Sequence, residues 1–206
     1  MRGYEKKMNL KEAGIDEGVS EVIVTTRSAS GKPNAAPVGI ITATNEGENK
    51  HLVKLYEGSK TLSNVLETNK LAANVTDDAV LFVKAAFDNL SKAHLSFFSD
   101  FPVLKEAKSW ILFQSVLVEK SSKYSLFQLT PITVKINRRE VKAINRGLNA
   151  VIEAAILATR YYVTPDEQEK EELKKLIELY ASIVKKCGGR REKEAIRILY
   201  EKCLFQ

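Results

Sequence analysis

The chain changes character near residue 138, and that change restricts its fold more than any other feature of the sequence. Before it, short runs rich in β-branched and apolar residues are separated by turn residues; after it, apolar residues recur at helical spacing. Strands followed by helices predict an α+β protein. The expected division is a β-rich part over residues 1–138 and an α-helical extension over residues 139–206.

Residues 20–26 read as a first strand and 28–33 as a turn. Residues 34–43 read as a second strand interrupted by Pro37. Proline cannot donate to a sheet ladder, so this strand is expected to lie at an edge or bulge, where a ligand can approach the backbone. Small Ala35, Ala36 and Gly39 leave room there. A polar loop over 45–49 leads to a third strand over 51–56. Residues 57–61 open a helix running to about 67, with Leu62, Val65 and Leu66 on its apolar side. A fourth strand spans 70–75. Asp77 and Asp78 suit the first turn of another helix. Residues 89–108 carry no clear pattern. Two long apolar strands follow, over 109–118 and 124–136.

The extension reads as one long helix from 139 to about 163, with Val141, Ile144, Leu148, Val151, Ala155 and Thr159 on its core side. Thr164 is the expected N-cap of the next helix, with Pro165 in the first turn and Glu167 as capping-box partner. Leu173, Leu176, Ile177, Tyr180, Ile183 and Val184 follow at helical spacing. A last helix is expected from 190 to about 204.

At 206 residues, 44% hydrophobic and 28% charged, the chain suits a globular protein with its own core. No run reaches 18 apolar residues, and the first residues lack the apolar stretch of a signal peptide. A soluble cytoplasmic protein without a membrane partner is therefore expected. Cys187 and Cys203 are the only cysteines, with no C-x-x-C. If they lie on two antiparallel helices joined at Gly188-Gly189, the thiols sit roughly 20 Å apart, too far to pair. No metal site is expected; His51 and His94 are isolated and read as structural or exposed.

The net charge of +6 is carried by the C-terminal part: 15 Lys/Arg against 15 Asp/Glu over residues 1–120, 17 against 11 over 121–206. This excess is read as a solvated helical face.

Gly58-Ser59-Lys60-Thr61 is the most informative segment. A helix start directly after a strand presents unpaired N–H groups and the positive end of the helix dipole, which suit a phosphate. Ser59 and Thr61 add hydroxyls and Lys60 a positive charge. The Walker A pattern is absent, and a plain helix cap is the competing explanation. Arg27, at the end of the first strand, can supply a second cation.

Val24-Thr25-Thr26, Gly31 to Gly39, Gly58 to Val65 and Leu71 to Val75, in that order, resemble the FMN-binding split-barrel superfamily of flavin reductases and pyridoxamine-phosphate-oxidase-like proteins. Arg27-Ser28, Asp77 to Lys84, Ile136-Asn137-Arg138 and the helical tail resemble more closely an archaeal branch without an assigned function. The resemblance implies a six-stranded antiparallel split β-barrel with short helices, a homodimer, and one FMN per subunit near the dimer interface. It implies the FMN phosphate at Ser59, Lys60 and Thr61 and the isoalloxazine edge along Asn34, Ala35, Ala36 and Pro37. Arg27 and Asn74 are further cofactor-binding candidates. The helical C-terminus lacks the oxidase branch's substrate-phosphate residues, so pyridoxamine-phosphate oxidation is not expected.

The leading expectation is a flavin-dependent oxidoreductase exchanging electrons or hydride with a small-molecule donor or acceptor. Flavin carries the redox chemistry itself, which accounts for the lack of a visible acid–base pair or triad. The alternatives are a non-catalytic FMN carrier or sensor and a nucleic-acid-binding protein using Lys185, Lys186, Arg190, Arg191, Lys193 and Arg197. The last cluster has no interleaved aromatics and no reading motif, so a nucleic-acid partner is not expected. On the long helix, Arg146, Glu153 and Arg160 repeat every seven residues with Asn149 and Asn145 nearby. They form either an ion-pair or dimer face or a polar wall recognising an anionic substrate.

Overall fold

The computed structural model describes residues 10–45 and 48–203. The chain divides into two compact units: Met1–Thr76 with Ser91–Arg139, and Asp77–Leu90 with Glu140–Gln206. The segment 77–90, sequential with the barrel strands, therefore belongs with the C-terminal helices.

In the first unit, β1 (Gly18–Arg27), β2 (Pro33–Asn45), β3 (Glu48–Tyr56), β4 (Lys70–Val75), β7 (Ser109–Lys120) and β8 (Tyr124–Ile136) close an antiparallel barrel in the order β1-β2-β3-β8-β7-β4. The six-stranded antiparallel barrel implied by the family resemblance is present. Alternation along each strand turns one set of side chains inward. Val22, Val24, Ile40, Val53, Leu55, Leu71, Ala73, Ile111, Phe113, Phe127 and Leu129 make the core. Helix α1 (Lys60–Thr68) adds Leu62 and Val65, and a 3-10 turn (Leu10–Ala13) adds Leu10 and Ala13. Each large apolar side chain so buried stabilises the fold by about 1.5–3 kcal/mol. Leu66, expected on the apolar side of α1, is exposed.

Strand β2 is paired on both edges over only part of its length. Its pairing with β1 runs from Pro33 to Thr42, but its pairing with β3 begins only at Ile40, opposite Val53. Residues 34–39 thus have one paired edge and one open edge. Pro37 lies in this stretch, opposite Ile23, as a residue without an N–H requires.

Residues 95–104, unreadable in sequence, form a short hairpin of β5 (Leu95–Phe98) and β6 (Phe101–Leu104). Its tight turn holds both Ser99 and Asp100 at positive φ. Phe101 and Val103 pack on Ala72, Trp110 and Leu112, and Phe98 meets Trp110 at 5.0 Å between ring centroids.

The second unit contains α2 (Ala79–Phe87), α3 (Arg146–Val163), α4 (Glu167–Cys187) and α5 (Arg190–Cys203). Two expectations are corrected here. The first extension helix starts at Arg146, not 139; Asn145 caps it by accepting from the N–H groups of Gly147 and Leu148. Val141 and Ile144 are exposed on the non-helical segment before it. Their fit to the helical period is accidental, and the capping asparagine decides the boundary. The inward face is built from Ala150, Val151, Ala154, Ala155 and Ala158, small residues that permit close helix approach. At the start of α3 a Cβ on Gly147 would stand 2.5 Å from the Cα of Gly188.

The second correction concerns α4. Its N-cap is Asp166, which accepts from the N–H groups of Gln168 and Glu169, whereas Thr164 is the C-cap of α3. Pro165 holds Thr164 extended, and the carboxylate two residues on takes the orphan amides. Thr164 instead donates its hydroxyl to Glu169. Cys187 is exposed and Cys203 buried, and both thiols are free. Among the described residues no helix is long and apolar enough to cross a membrane.

Candidate functional site

Gly58, at φ +77°, lets the chain leave β3 and turn into α1. Ser59 is the N-cap, its Oγ accepting from the Leu62 N–H at 3.2 Å. This satisfies the third amide of the helix and leaves the first two, on Lys60 and Thr61, facing outward along the dipole. The Lys60 side chain is exposed and has no carboxylate partner among the described residues. Thr61 is buried, and its Oγ1 accepts from Asn34 Nδ2 at 3.1 Å.

Two residues that sequence reasoning missed hold this helix in place. Asn64, one turn after Thr61, is buried and donates from Nδ2 to Thr26 Oγ1 at 2.9 Å. Thr26 pairs with Asn34 across β1 and β2. The helix start is therefore pinned to the ends of both strands through Thr26, Asn34, Thr61 and Asn64. Thr26 and Asn64 both lie in segments that carry the family resemblance, and Thr61 and Asn64 stand three residues apart on one helix face.

Arg27, the next residue along β1, has its Nε buried without a hydrogen-bond partner. Buried donors are nearly always satisfied, so an orphaned guanidinium nitrogen marks unspent capacity for an acceptor. Asn34, Ala35, Ala36 and Pro37 lie on the open-edged part of β2; Ala35 is buried and the other three are half-buried. The fold thus brings Ser59, Lys60, Thr61 and Asn34 together, with Arg27 adjacent to Thr26.

Asn74 is drawn elsewhere. It is fully buried; its Nδ2 donates to the carbonyls of Ile23 and Ala72 and to Thr25 Oγ1, and its Oδ1 accepts from the Leu104 N–H. It ties β4 to β1 and to the β5–β6 hairpin, and its side-chain amide is engaged within the barrel.

His51 is buried beside Phe113, its Nδ1 hydrogen-bonded to Thr42 Oγ1 at 2.9 Å, and burial pushes its pKa below the usual imidazole value. It reads as structural. His94 is half-buried in a 3-10 turn (Lys92–His94). Among the described residues no group of three His, Cys, Asp or Glu side chains could hold a metal ion.

In the helical unit, Arg146, Asn149, Glu153 and Arg160 are all exposed on α3, and none joins an ion pair among the described residues. Within the basic cluster, Arg191 bonds Asp78 and Arg197 bonds Glu201. A groove of about 320 Å³ lies between Phe87, Tyr162 and Lys202, and no sequence-predicted site residue lines it.

Residues 20–138 match the N-terminal domain of the family described as "Protein of unknown function (DUF447)", and residues 145–201 match the same family again. The chain belongs to the DUF447 family. The break between the two matched segments falls on the non-helical stretch before α3. The FMN-bound protein MM1853 of Methanosarcina mazei is 38% identical, with a TM-score of 0.84 over 94% of this chain and 100% of that one. The uncharacterized protein MJ1453 of Methanocaldococcus jannaschii is 27% identical over 196 residues, 88% of this chain and 96% of that one. A flavin reductase domain protein from Arthrobacter sp. FB24 aligns at 9% identity and a TM-score of 0.49, over 60% of this chain and 80% of that one. The resemblance to an archaeal branch without an assigned function holds.

Proposed function

We propose that this DUF447 protein binds FMN and works as a flavin-dependent oxidoreductase on a small-molecule donor or acceptor. The observation that carries the reading is the FMN-bound state of the Methanosarcina mazei protein, alike over 94% of this chain. The residues present here fit that cofactor. The free amides of Lys60 and Thr61, the Lys60 ammonium and the orphaned Arg27 Nε suit a phosphate. The open edge of residues 34–37 offers backbone groups and little side-chain bulk to a flat ring.

Bound FMN supplies hydride or single-electron transfer. The chain's own part is to hold the phosphate at α1, to orient the ring along β2 and to shield one side of it. The protein works as a homodimer whose interface helps complete the flavin site. Val116, Leu117 and Val118, three successive exposed apolar residues on β7, support such an interface on the barrel.

The test is the visible spectrum of purified protein loaded with FMN, followed by anaerobic titration with NADH and NADPH. Flavin bands that bleach with one donor are expected. Bands that persist with every donor would assign the protein to flavin carriage or sensing, and failure to bind FMN would overturn the reading altogether.

A further inference from the structure

Helix α4 carries two apolar stripes. Leu173, Ile177 and Val184 are buried, the last two within the core of the helical unit. Leu176, Leu179 and Ile183 lie roughly 100° further round the helix at 100° per residue. Leu176 and Leu179 remain 44% and 54% exposed, while Ile183, half-buried, already packs in part against the core of the helical unit. Continued by one step in each direction, the second stripe reads Glu172, Leu176, Leu179, Ile183, Lys186 at spacings of four, three, four and three. That is the spacing of a helix–helix seam. A single helix already packed on its own core has no need of a second seam.

The ends of the stripe say what covers it. Glu172 and Lys186 are exposed, and neither has an ion-pair partner among the described residues. The helix ends carry the same polarity, Glu167 and Glu169 in the first turn and Lys185 and Lys186 in the last, with charges of both signs between them. Two copies of α4 laid parallel would set Glu172 on Glu172 and Lys186 on Lys186. Laid antiparallel about a twofold axis near Leu179, they set each Glu172 beside the other copy's Lys186, and their dipoles oppose favourably. The stripe is thus complementary to itself in one orientation, the property of an isologous contact.

We propose that this stripe is a self-association surface on which α4 of a second copy packs antiparallel, with Leu176, Leu179 and Ile183 buried and Glu172 paired to Lys186 across the contact. It lies on the helical unit and is independent of the flavin reading and of any contact through the barrel.

The twofold axis near Leu179 makes the surface directly testable by cross-linking. In the full-length chain carrying Cys187→Ser, Leu179→Cys brings two thiols together across the axis, whereas Lys174→Cys places them on the opposite side of the helix. Cys203 does not compete, because it is buried and its thiol is pushed up to about 11 by that burial. Mild oxidation should yield disulfide-linked pairs of chains on denaturing electrophoresis with Leu179→Cys and unlinked chains with Lys174→Cys. Adding Leu176→Lys, which puts a cation into the seam, should slow cross-linking about tenfold or more. Lys186→Glu and Glu172→Lys should each slow it, and the two together should restore it. Equal cross-linking at positions 174 and 179 would overturn the proposal. So would a folded Leu179→Cys protein that forms no inter-chain disulfide, or charge reversals without effect. The last two outcomes would leave the stripe to a different partner.

Discussion

Arg27→Met separates a functional arginine from a structural one, because the two roles predict opposite signs for stability. Arg27 ends β1 with its Nε buried and unpartnered. A buried donor without an acceptor costs about 1–3 kcal/mol. The side chain as a whole is half-buried, so the lower end applies, about 1 kcal/mol. Methionine keeps most of the apolar stem and removes the orphan, so the flavin-free variant should be as stable as the parent or up to about 1 kcal/mol more stable. If Arg27 bonds the FMN phosphate, the same change removes a charge-assisted hydrogen bond worth about 1.5–3 kcal/mol. FMN affinity should then fall roughly 10- to 150-fold. Riboflavin, lacking the phosphate, should bind both proteins alike. Calorimetric titration of flavin-free protein with the two ligands measures the first effect, and urea unfolding without flavin measures the second. A variant that loses stability while binding FMN unchanged would refute the reasoning and assign Arg27 to the fold alone.

Gly147→Ala should destabilise the helical unit by about 1–3 kcal/mol, the cost of forcing an atom against packed backbone at the Gly188 Cα. Helix propensity alone predicts a gain of about 1 kcal/mol, so the sign seen in urea unfolding decides between them. His51, whose folded pKa lies below its ordinary 6.5, binds fewer protons folded than unfolded. Its contribution is therefore fully present above pH 6.5 and is lost as pH falls from 6.5 toward the depressed folded value. Unfolding free energies measured between pH 5 and 8 should show that slope, and His51→Gln should flatten it whatever it does to overall stability; an unchanged slope would contradict the burial argument.

Some of this protein was written locally and could be read from the chain. Strands β4 and β8 occupy the segments expected from their apolar runs between turn residues, and Ser59 caps α1 because a hydroxyl before a helical stretch meets an amide only one turn away. The Pro37 argument also needed nothing distant, since a residue without an N–H belongs at an unpaired edge wherever the strand goes. Periodicity went astray where two local signals competed. Val141 and Ile144 match a helical stripe, but the helix starts at the Asn145 cap beyond them, and Asp166 rather than Thr164 caps α4.

What no local rule reached were contacts between residues far apart in sequence. The Asn74 side-chain amide is engaged by β1 and the β5–β6 hairpin. Asn64 looks like a surface residue until it meets Thr26, 38 positions earlier. The Arg27 Nε is orphaned only because the folded chain surrounds it without offering an acceptor. Sequence determines which groups a chain owns and which short-range bonds they form. Which polar groups are satisfied internally and which stay open for a ligand follows from long-range strand pairing, because only the closed barrel decides which groups lose their water.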